Sequence, residues 1–230
     1  DDVIVTKWGK CTHGLDRFFC SLYSRVVPGV GFLCLSLISV KRCVSYPMML
    51  EQLEQPQTHP SQRGIKQKTH GKSKRGRRKG SKNRNRREVE LSAYLQFVQQ
   101  HLKHLLKLIG PYLKLHYCVF DGAFGQNDAV QMVRQIGLHL ISKLRHDSAL
   151  YVPYEGPYSG RGPRKKYGDK INYQDIPERY LKTSSIDKNE HIETKIYQMQ
   201  VWHKKFSDLL NVLVIVKTNL KTHKFAHVVL

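Results

Sequence analysis

The middle of the chain contains a long basic segment with almost no apolar side chain to bury. Residues 63–87 hold 13 of the 39 lysines and arginines and no acidic residue. Such a composition cannot offset the entropy that is lost on ordering, so we expect residues 55–90 to form a flexible basic linker or insertion. A folded core must therefore be built from the sequence on either side of it.

The charge balance indicates a polyanionic partner. The formal net charge is +21, and outside residues 63–87 there remain 26 basic against 18 acidic residues. This excess is larger than solubility requires and favours nucleic acid, with an anionic membrane surface as the alternative. The most apolar window, residues 26–40, is shorter than the roughly twenty residues that a transmembrane helix needs. We therefore expect no membrane partner.

The cysteine pattern is typical of a reducing compartment. The chain has an odd number of cysteines, and none of them shows the close pairing of a structural zinc site. Odd, widely spaced thiols favour a protein without disulfides. This pattern predicts a cytoplasmic protein.

The sequence before the basic segment has the pattern of an antiparallel sheet. Residues 1–7 alternate and are β-branched, which predicts a first strand. Residues 18–27 and 31–40 predict two further strands, joined by a turn at Pro28 and Gly29. We place the end of this meander at the Tyr-Pro pair that follows.

The sequence after the basic segment alternates between helical and strand periodicity. Leucines at three- and four-residue spacing predict an amphipathic helix over residues 91–109. Residues 115–120 predict a buried strand, 127–137 a helix and 138–144 a second strand, which together form a parallel βαβ unit. Residues 147–230 predict a loop followed by β-rich sequence.

These elements predict an α/β fold with a mixed sheet of three antiparallel strands followed by a βαβ unit. We divide the chain into the first three strands (1–54), the basic insertion (55–90), the helix-strand-helix-strand continuation of the same domain (91–146) and a loop with a β-rich insertion (147–230).

Three aspartates are candidates for chemistry: Asp1 and Asp2 on the first strand, and Asp121 at the end of the fourth. Neighbouring strands bring such residues close together, and in phosphodiester chemistry paired carboxylates hold divalent metals about 3.5–4 Å apart. An aspartate at a strand end before glycine is also common turn chemistry. Spacing alone leaves both interpretations open.

A family resemblance favours the catalytic interpretation. DDVIVTK at residues 1–7, YCVFDGAFG at 117–125 and LISKLR at 140–145 resemble the matching segments of bacterial insertion-sequence transposases with a DDE catalytic domain. The resemblance extends over nearly the whole chain. It implies an RNase H-like fold, with the β-rich sequence after residue 188 as an insertion before the last catalytic helix.

The resemblance also implies roles for individual residues. The family's first catalytic aspartate falls on Asp1 or on its neighbour Asp2, and the second falls on Asp121. Asp1 and Asp121 would then bind Mg²⁺ or Mn²⁺. Val3 stands where members commonly have serine or threonine, which leaves the choice between Asp1 and Asp2 open. The expected partners are double-stranded DNA at transposon ends and targets, and a second copy of the chain.

The third carboxylate of the family is a glutamate on a late helix, preceded by a tyrosine and an arginine. Neither Glu178 nor Glu193 lies in such a pattern. We therefore expect the sequence to be a fragment that lacks this glutamate and is inactive as it stands.

Two clusters of basic residues are candidates for contact with DNA phosphates. The first lies in the basic segment and comprises Lys74, Arg75, Arg77, Arg78 and Lys79. The second is interleaved with tyrosines and comprises Arg161, Arg164, Lys165 and Lys166. The alternatives are a solvated linker for the first cluster and a plain surface loop for the second.

Two other functions remain open. A non-catalytic, basic nucleic-acid-binding protein would use the aspartates only structurally, and its binding would not depend on metal. An RNase H-like nuclease would cut DNA without joining it to a target.

Overall fold

A computed structural model describes residues 2–9, 11–20, 22–53, 85–158, 160–187 and 189–230. The chain divides into two compact units. The first comprises residues 1–84 and 104–108, and the second comprises residues 85–103 and 109–230. Most of the predicted basic insertion lies outside the described residues.

The first unit is built around one long strand. Its strands are β1 (Asp2–Thr6), β2 (Asp16–Cys20), β3 (Arg25–Ser39) and β4 (Val44–Leu53). Strand β3 pairs antiparallel with each of the other three. Since β1 and β4 both pair with residues 31–33, they lie on opposite edges of β3. The predicted antiparallel character of this part is confirmed.

The turn predicted at Pro28 and Gly29 is wrong, because β3 runs through both residues and the chain turns at residues 22–24 instead. The Pro28 carbonyl accepts a hydrogen bond from the Lys7 N–H at 3.3 Å. A Cβ on Gly29 would lie 2.6 Å from the Val5 carbonyl oxygen. Gly29 therefore permits the close approach of β1, and pairing overrides the local turn signal.

The predicted end of the meander at Tyr46 and Pro47 is also wrong, because β4 includes both residues. The register of β3 against β4 shifts between Leu35 and Ser36, next to the position where Ser36 faces Pro47. A bulge of this kind accommodates a residue that lacks a backbone donor.

The two faces of β3 differ in burial. Val27, Leu33 and Leu35 are buried on one face, next to the buried Phe18 of β2, and Leu33 is only 1% exposed. The alternate face carries half-exposed apolar side chains such as Phe32 and Cys34. The most apolar window of the sequence, residues 26–40, thus falls on the central strand of this unit.

Helix α1 (Ala93–Ile109) confirms the predicted amphipathic helix, and its residues 93–103 and 109 belong to the second unit. Its apolar stripe includes Leu95 and Val98, both buried. The Gln99 side-chain amide donates to the Met132 carbonyl at 3.2 Å and to the Gln135 side chain at 2.8 Å. These bonds connect α1 to helix α2 (Asn127–Gln135).

Along the sequence, helix α2 connects two strands that pair in parallel, β5 (Tyr117–Val119) and β6 (His139–Ile141). The predicted βαβ unit is therefore confirmed. The strand predicted to be buried is largely exposed, with Tyr117 and Val119 at 64% and 59%. Within the described ranges β5 pairs only with β6, so burial is confined to the Phe120 position that follows it.

The rest of the second unit is a six-stranded antiparallel sheet in which β12, β11, β10, β7 and β8 follow one another and β9 pairs with β10. The strands are β7 (Leu150–Pro153), β8 (Tyr167–Lys170), β9 (Leu181–Asp187), β10 (Ile192–His203), β11 (Leu210–Asn219) and β12 (Phe225–Val229). Alternate residues on β7, β10 and β11 build its core, among them Leu150, Val201 and Val214, each fully buried. The predicted β-rich region is therefore a sheet with a core of its own.

The α/β class is confirmed. The strands that we predicted to share one mixed sheet are divided between a four-stranded and a two-stranded sheet, and the predicted β-rich insertion forms a separate six-stranded sheet. Strand β3 is long enough to pair with β1, β2 and β4 at once, so the sheet of the first unit is built entirely from neighbouring parts of the sequence. The RNase H-like strand order stays a prediction. None of the described helices is both long and apolar enough to cross a membrane.

Replacing Gly29 by alanine should destabilise the first unit by about 1–3 kcal/mol, the usual cost of forcing an extra methyl group into a packed site. The new methyl would displace β1 from β3. Chemical denaturation of Gly29→Ala would measure this, with Ser36→Ala, at an exposed position of the same strand, as the control. Equal stability of both variants would contradict the close approach of β1.

Candidate functional site

Asp121 lies just after β5 and begins a single 3-10 turn over Gly122–Phe124. Its Oδ1 accepts a hydrogen bond from the backbone N–H of Ala123 at 3.0 Å. The side chain is exposed. Since an ionised carboxylate offers about four lone-pair sites, this cap leaves most of its capacity for a cation.

Two buried aromatic rings, one on each side of Asp121 in the sequence, hold its turn in place. Phe120 and Phe124 stack with their centroids 4.2 Å apart and their planes within 16°. Both side chains are less than 10% exposed. The backbone direction at Asp121 is therefore set by packing, and the carboxylate projects from a rigid turn.

The end of β6 holds the same turn from the side. The Ser142 hydroxyl donates a hydrogen bond to the Asp121 carbonyl at 2.5 Å. A Cβ on Gly125 would lie 2.3 Å from the Lys143 carbonyl oxygen, so only glycine allows this contact. Asp121 and Ser142 thus meet where two adjacent parallel strands end, which is the usual place for a site in such sheets.

The first-strand aspartates belong to the other unit. Asp2 is the first residue of β1, faces Leu33 across the pair with β3, and is exposed. Asp1 lies outside the described residues. The described ranges contain no cluster of three or more histidine, cysteine, aspartate or glutamate side chains suited to a metal ion. The catalytic roles of Asp1, Asp2 and Asp121 stay predictions.

The second basic cluster lies in the loop between β7 and β8, and its long side chains rest on aromatic rings. The Arg164 guanidinium lies 5.4 Å from the centre of the Tyr158 ring, and the Lys165 ammonium lies 4.6 Å from that of Tyr154. These four residues line a cleft of about 390 Å³. Arg161 is exposed in the same loop.

The fourth member of this cluster, Lys166, makes a contact outside the loop. Its ammonium lies 5.4 Å from the centre of the Trp202 ring on β10. The structure therefore brings three of the four predicted basic residues onto aromatic supports. The residues of the first basic cluster, Lys74 to Lys79, lie outside the described part of the chain.

Sequence reasoning missed a network of charged residues around Asp208. The Arg87 and Arg134 guanidiniums each approach one carboxylate oxygen of Asp208 at 2.6 Å. The Ser207 hydroxyl donates to the same carboxylate at 2.7 Å. This hydrogen bond and the two cations lower the pKa of Asp208 to about 2.

The network fixes the turn after β10 to helix α2. The Asn127 side chain accepts from the Ser207 N–H at 3.0 Å and donates to the Arg86 carbonyl at 2.9 Å. The Gln131 side chain donates to the Ser207 hydroxyl at 2.9 Å. Asp208 is 121 residues from Arg87 and 74 from Arg134, so no local spacing could have revealed these contacts.

Comparison with known proteins identifies one matching family. The sequence model described as DDE superfamily endonuclease matches residues 1–207. The match includes β1 with Asp2, the turn with Asp121 and the second basic cluster. No curated protein and no solved structure is significantly similar to the chain.

Replacing Asp208 by asparagine should destabilise the second unit by about 1–2 kcal/mol near neutral pH. The reason is that the negative charge that strengthens the hydrogen bonds from Arg87 and Arg134 would be removed. Thermal unfolding would measure the difference. The control is Asp175→Asn, at an exposed turn position in the same unit.

The pKa of Asp208 also fixes the sign of a pH effect. A carboxyl whose pKa is lowered by folding stabilises the folded state above its ordinary pKa of about 4, and this stabilisation is lost as the pH falls towards 2. The difference between wild type and Asp208→Asn should therefore be constant above about pH 5 and shrink below pH 4. A difference that persists unchanged at pH 2 would contradict the assignment.

Proposed function

Because the chain belongs to the DDE superfamily endonucleases, we propose that it is the catalytic part of a bacterial insertion-sequence transposase. The observation that supports this most is the family match over residues 1–207 together with Asp121 on a rigid turn at the end of a parallel strand pair. The substrate is double-stranded DNA at the ends of a mobile element and at its target.

The metal ligands in this proposal are Asp121 and Asp1, with Asp2 as the alternative to Asp1. The chemistry of the donors fits: carboxylate oxygens are the ligands that Mg²⁺ and Mn²⁺ prefer. When bound, such a cation activates the attacking oxygen and stabilises the leaving oxygen of a phosphodiester. The Ala123 N–H and the Phe120–Phe124 stack would keep the Asp121 carboxylate in place during the reaction.

The reaction has two phosphoryl-transfer steps. In the first, a water oxygen attacks the phosphorus at the transposon end, the bond to the 3′ oxygen breaks, and a 3′-hydroxyl is released. In the second, this 3′ oxygen attacks a phosphodiester of the target, so one DNA bond is exchanged for another. Neither step needs an oxidant or an external energy source.

The basic residues hold DNA in this proposal. Lys74, Arg75, Arg77, Arg78 and Lys79 in the basic segment contact phosphates without reading sequence. Arg161, Arg164, Lys165 and Lys166 contact phosphates from the loop between β7 and β8. We further propose that the four-part division of the chain holds, that two copies act together on paired ends, and that the protein works on the nucleoid in the cytoplasm.

Asp121→Asn should weaken Mn²⁺ binding by about tenfold or more, since even groups that only orient metal ligands contribute that much. In a longer chain that supplies the family's third carboxylate, the same substitution should also abolish Mn²⁺-dependent nicking of supercoiled plasmid. The substitution keeps the Oδ1 acceptor for Ala123, so the turn should stay intact. Electron paramagnetic resonance of Mn²⁺ measures binding independently of cleavage.

The control for this experiment is Asp175→Asn, which changes the same charge at an exposed turn of the same unit. Unchanged Mn²⁺ binding by Asp121→Asn would contradict the metal role and favour a non-catalytic DNA-binding protein. Cleavage without any joined plasmid product would favour a nuclease that does not transfer strands.

Replacing Lys74, Arg75, Arg77, Arg78 and Lys79 together by glutamine should weaken duplex binding at all sequences. The slope of log affinity against log salt should become shallower by up to about 4–5, since each phosphate contact contributes about 0.9. The matched control exchanges lysine and arginine at the same five positions and keeps every charge. An unchanged slope in the glutamine variant would show that the segment is only a solvated linker.

A further inference from the structure

The outer face of the six-stranded sheet carries a row of three aromatic rings, which we call the aromatic row: Tyr151 on β7, Tyr167 on β8 and Trp202 on β10. Tyr151 and Trp202 face each other directly across the strand pair. The Tyr167 ring meets Tyr151 at 5.5 Å and Trp202 at 6.3 Å. Since the neighbouring residues Leu150 and Val201 point into the core, the row lies on the opposite face.

A lysine lies over each of two rings of the aromatic row. The Lys166 ammonium lies 5.4 Å from the centre of the Trp202 ring, and the Lys204 ammonium lies 4.9 Å from that of Tyr151. Both lysines are exposed. Throughout the described ranges, neither ammonium is within salt-bridge distance of a carboxylate. Their charges are therefore available to a ligand.

A lysine that lies over an aromatic ring differs in its available charge from a lysine that is paired with a carboxylate. A lysine over a ring gains about 0.5–1 kcal/mol at an exposed site, which restricts a side chain that otherwise carries about 2 kcal/mol of rotamer entropy. A carboxylate would restrict it as well, but would cancel its charge. The rings therefore hold Lys166 and Lys204 in place while leaving them attractive to an anion.

The backbone that carries Lys204 is also fixed. Its carbonyl accepts a hydrogen bond from the Arg86 guanidinium. The turn that follows is held to α2 through Asp208 and Ser207. Lys204 is thus a surface cation with an anchored main chain and a supported side chain, and sequence reasoning did not identify it.

The geometry of the rings argues against base stacking. The planes of Tyr151 and Tyr167 differ by 69°, and those of Tyr167 and Trp202 by 73°. Successive bases of a single strand need open, exposed ring faces to stack on. Here the rings meet edge to face, and two of the three already carry an ammonium over one face.

We propose that Lys166 and Lys204, supported by the aromatic row, form a phosphate-binding surface for duplex DNA in which the rings hold the lysines and do not stack on bases. The proposal rests on the proposed function for its ligand. It adds Lys204, Tyr151 and Trp202 to the interface, and assigns the rings a supporting role.

The test is fluorescence anisotropy with a labelled duplex and with one of its single strands, at salt concentrations from about 50 to 200 mM. Lys204→Gln should make the salt slope for the duplex shallower by about 1. Lys221→Gln, an exposed lysine in the turn between β11 and β12, is the matched control and should leave the slope unchanged.

Two substitutions at Trp202 test whether its ring supports Lys166. Trp202→Leu should weaken duplex binding about two- to fivefold, the equivalent of one cation–π contact, and leave the salt slope unchanged, because Lys166 keeps its charge. Trp202→Phe keeps an aromatic face and should bind almost like wild type. Circular dichroism would verify that each variant is folded.

The proposal is overturned if Lys204→Gln has the same slope as Lys221→Gln. It is also overturned if the single strand binds more tightly than the duplex and Trp202→Leu removes only that preference, because the rings would then stack on bases. Either result leaves the proposed function intact provided that Asp121→Asn loses Mn²⁺ binding while its DNA affinity is unchanged. Absence of DNA binding by the wild type would contradict both proposals.

Discussion

The carboxylate of Asp208 is the contact on which the functional part of the second unit depends. It gathers Arg87, Arg134 and Ser207, and through Ser207 it reaches Asn127 at the start of α2. Helix α2 follows directly after the turn of Asp121, while the turn of Asp208 follows directly after Lys204. One ion-paired network therefore fixes the backbone beside a candidate metal ligand and beside a candidate DNA contact, although neither of these groups is part of it.

In the first unit the corresponding constraint is the length of β3. A strand of 15 residues can pair with β1, β2 and β4 together. This requires a glycine where β1 comes closest and a bulge where β4 carries a proline. The position of Asp2 follows from this pairing, because the register of β1 is set by its hydrogen bonds with β3, a strand that is not adjacent to it in sequence.

The sequence predicted those features that depend on local periodicity. Helix α1, the βαβ unit and the placement of Asp121 at a strand end all follow from apolar spacing within a short window. Pro28 and Gly29 misled the prediction because their turn preference is weak compared with strand pairing. Asp208 and Lys204 were missed for a different reason: their partners come from distant parts of the chain, and a single sequence does not show which strands become neighbours. The assignments for Asp1 and for the residues from Lys74 to Lys79 lie outside the described residues.

Long basic side chains of the second unit are held in two ways. Some pair with a carboxylate and stabilise the fold, and others lie on aromatic rings and keep their charge for a ligand. Arg87 and Arg134 share the carboxylate of Asp208, which offsets one of their two positive charges and engages both guanidiniums in the fold. Lys166 and Lys204 lie on aromatic rings, which restrict them without cancelling their charge. A protein that acts on DNA needs cations of the second kind, because a phosphate gains little from a guanidinium that already has a partner. In this proposal Tyr151 and Trp202 therefore contribute to the electrostatics of the surface, whereas Tyr197 on the same sheet belongs to the core.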